Sequence, residues 1–87
     1  MQRKVLNYRV IIEPETYPDG TKVYNAHCPT LGVVDYGDSV EQVLDSIKDG
    51  ISLAVETLVN EKAEIPSDDL TNQIVTSTQI KAPVAFV

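Results

Sequence analysis

LGVVDYGDSVEQVLDSIKDG, residues 31–50, contains an extended run that stops at Gly37 and a helix that starts almost at once. Ser39 and Gln42 have the spacing of a capping box, in which the serine oxygen takes an orphan amide and the glutamine side chain reaches back. Asp38, Glu41 and Asp45 place negative charge near the helix N-terminus, where the macrodipole favours it. Val40, Val43, Leu44, Ile47, Ile51, Ala54, Val55 and Leu58 then recur at helical spacing and form one apolar stripe suited to a sheet face. Glu41, Asp45, Lys48, Asp49, Ser52 and Glu56 cover the other side. Gly50 interrupts the helix at a cost of about 1 kcal/mol relative to alanine. Pro66 predicts that the helix ends near Lys62 and Ala63.

Before this junction the chain alternates as strands do. Over residues 4–13, Leu6, Tyr8, Val10 and Ile12 share one face and Asn7, Arg9 and Glu13 the other, with Ile11 breaking the pattern. PETYPDGTK follows and is turn chemistry, with Gly20 free to take a positive φ. Residues 22–28 predict a second strand, which Pro29 ends, and residues 33–36 a third. Short links between three strands imply an antiparallel meander. After the helix, EIPSDDLTN reads as a polar connection, and residues 73–81 predict a further strand with Ile74, Thr76, Thr78 and Ile80 on one face. Pro83 restricts APVAFV to a strand edge or a tail. The expectation is an α+β domain of order β-β-β-α-β, an antiparallel sheet with one long helix packed on one face. It is a single domain over 1–87, with a core over 4–66 and a β-rich segment over 73–87.

With 87 residues the chain has room for one small core, so help from a second chain is expected. Its formal charge of −6 opposes a phosphate-binding surface, since nucleic-acid affinity comes largely from Lys and Arg displacing counterions. Arg3, Lys4 and Arg9 cluster near the N-terminus and read as a solvated edge. No direct nucleic-acid binding is therefore expected, and an acidic domain suits a basic protein partner. The single cysteine, Cys28, leaves no internal disulfide framework and fits a reducing compartment. No apolar run approaches a signal-peptide core or a membrane span, so a cytoplasmic protein without a membrane partner is expected.

Chemistry-bearing residues are few. His27 and Cys28 are adjacent, and on a strand adjacent side chains point to opposite faces, so the histidine does not activate the thiol. One Cys and one His do not make a metal site at any recognisable spacing. Glu13, Asp35 and Asp38 are the acids that could converge near the strand ends and hold a divalent cation, as in a residual metal-dependent nuclease. The acidic composition and the capping position of Asp38 weigh against that arrangement. Gly32, Gly37 and Gly50 match neither GxGxxG nor a P-loop. Tyr8, Tyr17, Tyr24 and Tyr36 suit core or interface packing. No catalytic residue, cofactor or metal is expected.

Tyr8 with its hydrophobic strand, the Asp19-Gly20 turn, PTLG over 29–32, GDS over 37–39, the helix with Glu41 and the closing Ile65-Pro66 occur in the order and spacing of the HicB family. The chain resembles the antitoxins of HicA/HicB toxin–antitoxin pairs over about two-thirds of its length. Val33 stands where the family commonly has cysteine, and a β-rich segment follows where many members carry a DNA-binding domain. The resemblance implies a partial RNase-H-like sheet without that fold's catalytic acids, and a protein that caps a small, basic HicA-like toxin which degrades mRNA. Asp35, Tyr36 and Asp38, beside the strand-to-helix junction, are the candidate partner interface. The alternative is a solitary homo-oligomeric domain of this family without a toxin. Its candidate interface is the apolar end Val84, Phe86 and Val87, since an unpaired strand edge tends to find another chain.

Overall fold

The computed structural model describes residues 5–69 and 73–83. Strands β1 (Ile11–Thr16), β2 (Lys22–Cys28) and β3 (Val33–Gly37) form one antiparallel sheet in the order β1-β2-β3. Helix α1 (Val40–Asn60) follows, giving an α+β fold of order β-β-β-α. Two short reversals build the meander. Between β1 and β2, the Tyr17 and Gly20 amides bond to the Thr21 and Tyr17 carbonyls, and Gly20 adopts φ 89°. Between β2 and β3, the Gly32 amide donates to the Cys28 carbonyl at 2.8 Å.

Register assigns the faces. Ile12, Ala26 and Asp35 stand in one row, and Pro14, Tyr24 and Gly37 in the next, on the side that receives α1. The other side carries the rows Ile11, His27, Val34 and Glu13, Asn25, Tyr36, with no helix on it among the described residues. The core is the buried cluster of Ala26, Val43 and Ile47, with Val10, Ile12, Tyr24, Val33 and Ile51 packed around it.

Ser39 caps the helix as its sequence predicts: its Oγ accepts the Gln42 amide at 3.0 Å. The Gln42 side chain returns one residue earlier than in a standard box, taking the Asp38 amide at 2.8 Å. At the other end the Lys62 amide bonds to the Val59 carbonyl and the Ala63 amide to the Leu58 carbonyl, a Schellman closure. Lys62 occupies its left-handed position at φ 55°, where glycine is normally found.

Two glycines set how closely helix and sheet approach. A Cβ at Gly37 would lie 2.8 Å from the Val43 backbone nitrogen and 3.0 Å from its Cα. One at Gly50 would lie 3.0 Å from Cγ1 of Val33, so the glycine that weakens the helix locally is a close-contact point with β3.

The structure departs from the sequence expectation in three places. The first strand runs over Ile11–Thr16 and not over 4–13: its ladder with β2 begins at Ile11 opposite His27, and the Asn7 and Arg9 amides bond to Ser67 and Asp68. It continues through Pro14, which is tolerated on an edge strand whose outward position needs no amide. The helical stripe is only partly covered: Val43 and Ile47 are buried, whereas Val40 and Leu44 remain exposed. The fourth strand is absent among the described residues. Residues 73–83 are extended in pattern but exposed and unladdered, since alternation makes a segment competent to pair and does not supply an edge.

Gly37→Ala should lower the free energy of unfolding by about 1–3 kcal/mol, because the clash is with helix backbone and not with a movable side-chain end. Lys62→Gly should raise it by about 1 kcal/mol by removing the strain of a left-handed lysine. Urea denaturation followed by far-UV circular dichroism measures both.

Candidate functional site

The three residues expected at a partner interface separate when the sheet forms. Asp35 points to the helix side, where its Oδ2 accepts the Ser46 hydroxyl and its Oδ1 accepts the Tyr36 amide. These hydrogen bonds, the serine first, hold its carboxyl below the usual range. Asp35 therefore joins β3 to α1 through its side chain. Asp38 offers its backbone amide to the helix cap. Tyr36 alone projects from the helix-free face and is 58% exposed.

Around Tyr36 the register builds a mixed surface. Val34, one row away on the same face, is 67% exposed. Ile11 and His27 are half-buried beside it, and the Glu13 and Glu15 carboxylates lie along the exposed β1 edge. An apolar centre with acidic margins can bind a protein surface that carries both apolar and basic groups. The strand register places Val34 and Tyr36 on one face. Only the position of α1 shows that, among the described residues, no helix covers this face.

The candidate catalytic groupings do not assemble. Glu13 stands in the Asn25–Tyr36 row on the open face, Asp35 on the helix face, and Asp38 at the helix start. No group of three or more His, Cys, Asp or Glu residues able to hold a metal ion forms among the described residues. His27 and Cys28 point to opposite faces, with Cys28 a free, fully buried thiol. Val84, Phe86 and Val87 lie outside the described residues.

The segment expected to be a polar connection is instead a clasp across the sheet. Ser67 Oγ accepts the Asn7 amide at 3.1 Å, and the Asp68 amide donates to the Asn7 carbonyl at 2.8 Å. Asp68 takes the Arg9 amide on Oδ2 at 2.7 Å and the Thr30 hydroxyl on Oδ1 at 2.5 Å. The Tyr8 hydroxyl donates to the Pro66 carbonyl at 2.6 Å. The Thr30 and Arg9 bonds lower the Asp68 carboxyl, and burial raises the Tyr8 phenol. The only local hint of the clasp was a Ser-Asp pair after a helix-ending proline, which is common in loops.

Between this N-terminal segment and the helix runs an open groove of about 640 Å³, lined by Leu6, Tyr8, Val10, Ile51 and Val55, with Lys48, Ser52 and Glu56 at its polar edge.

The UPF0150 protein ssr1765 of Synechocystis sp. is 36% identical to this chain over 69 residues, spanning 78% of this chain and 82% of that protein. The chain belongs to the UPF0150 family. The UPF0150 relationship extends over most of the chain. No family model matches the chain, and no solved structure matches it. No helix of this UPF0150 protein, among the described residues, is long and apolar enough to cross a membrane.

The Asp68 clasp makes stability pH-dependent. Its folded-state pKa lies below the ordinary Asp value of 3.8, so its contribution is complete above that value and is lost as pH falls through the folded-state pKa. Asp35 acts in the same sense. Asp68→Asn should lower the urea midpoint at neutral pH and flatten the acid side of the stability curve, the two proteins converging towards pH 2. Urea midpoints measured between pH 7 and pH 2 test this.

Proposed function

We propose that this UPF0150 protein is a non-catalytic, HicB-like antitoxin domain that binds and neutralises a small, basic, HicA-like toxin which degrades mRNA. The observation that carries the reading is the helix-free sheet face, where Tyr36 and Val34 stand exposed beside Glu13 and Glu15. Family membership and the ordered HicB-type motifs from Tyr8 to Pro66 support it. The charge of −6 favours encounter with a basic partner. The toxin's RNA-binding surface meets the acidic face, and Tyr36 provides the aromatic anchor that commonly dominates such interfaces. Neutralisation is steric and electrostatic and needs no chemistry from this chain. The setting is the cytoplasm, where mRNA is the target.

Retrieval of bound small proteins by a tagged chain, followed by an RNA-cleavage assay of the purified partner, tests the reading. Stoichiometric inhibition of cleavage is expected, together with rescue of growth arrested by that partner. Tyr36→Ala should weaken binding by about tenfold or more while leaving the fold intact. A partner that cleaves RNA equally well in the presence of excess chain would overturn it.

A further inference from the structure

We propose that residues 73–81 of one copy of this chain pair as an added strand along residues 6–12 of a second copy, closing the groove over α1. The inference is independent of the toxin reading, because the groove lies on the helix side of the sheet and Tyr36 on the other.

The acceptor edge follows from alternation. Asn7 and Arg9 turn their amides towards Ser67 and Asp68, which lie beyond the end of β2 beside Thr30. The backbone groups of Leu6, Tyr8, Val10 and Ile12 consequently face the opposite edge, and β1 is the outermost strand there. Pro14 falls in the same outward parity and ends the usable edge, having no amide to offer. The other free edge is less open, because Asp35 Oδ1 already holds the Tyr36 amide. Side chains of Leu6, Tyr8 and Val10 line the groove with Ile51 and Val55, so a strand added here places every second residue over the helix.

The donor has matching properties. Ile74, Val75 and Ile80 are 89%, 74% and 82% exposed, an unfavourable state for a segment of high β-propensity. Ile74, Thr76, Thr78 and Ile80 share one face and bring an isoleucine to each end of the groove. Nine residues of strand span about 30 Å, enough to cover the seven-residue acceptor of about 23 Å. Lys81 is the sole charged residue over 73–83, so an almost neutral strand with a positive end meets an acidic chain.

Geometry favours a second copy over the chain's own groove. Gln73 accepts a hydrogen bond from the Arg9 guanidinium, and Arg9 alternates to the face opposite Leu6, Tyr8 and Val10. The arm therefore starts on the far side of the sheet from the groove of its own chain. Two copies about a two-fold axis can exchange arms reciprocally, each burying one arm and filling one groove.

The test uses the full chain. Light scattering over a concentration series should give a dimer. Isotope-filtered NMR on a mixture of ¹³C-labelled and unlabelled protein should give contacts between chains from the Ile74 and Ile80 methyls to those of Leu6, Val10, Ile51 and Val55. The double substitution Ile74→Asp with Ile80→Asp should raise the dimer Kd by roughly 100-fold or more and leave the far-UV spectrum of the sheet and helix in place. A monomer at millimolar concentration, contacts confined to one chain, or a dimer indifferent to the double substitution would each overturn the proposal.

Discussion

The close approach of Gly37 to the backbone of Val43 fixes the relation between sheet and helix. Because residue 37 has no side chain, the first turn of α1 can settle against the end of β3, with the next contact at Gly50 against Val33. Between those points lie Val43 and Ile47, both fully buried, facing Ala26 of the central strand. The small size of Ala26 and of both glycines draws the layers together. The buried core is correspondingly small, and much of the apolar stripe beyond it is only half covered.

A core this small leaves the periphery to hydrogen bonding. The Ser46 hydroxyl ties the helix to Asp35, and the segment after the helix ties the N-terminal residues to Thr30 through Asp68. The bonds from Ser67 and Asp68 to Asn7 and Arg9 join positions about 60 residues apart and close the chain around the sheet without extending the ladder. They also consume polar groups that would otherwise look available for a partner. Asp35 is the clearest case: a carboxylate in a candidate interface that serves as an internal strut.

The division of faces then separates the two surfaces proposed for recognition. On the helix-free side, exposed Tyr36 and Val34 with the acids of β1 suit a basic protein, the reading that UPF0150 membership and the HicB-type motifs support. On the helix side, the groove between Leu6, Tyr8, Val10 and α1 suits one more strand, and the unladdered arm supplies a segment of the right pattern. The two proposed surfaces lie on opposite sides of the sheet.

Sequence alone determined the features whose physics acts within a few residues. Ser39 and Gln42 marked the helix start, Pro29 the end of β2, the Asp19-Gly20 pair a reversal, and helical spacing the buried Val43 and Ile47. Tertiary structure decided what depends on distant neighbours: that Gly50 meets Val33, that Ser67 and Asp68 bind Asn7 and Arg9, and that Asp35 and Tyr36 part to opposite faces with different roles. It also decided that residues 73–81, strand-like by alternation, have no ladder in the described chain. Propensity and capping are local free energies, whereas a strand, a clasp or an exposed face exists only relative to whatever else the chain has placed beside it.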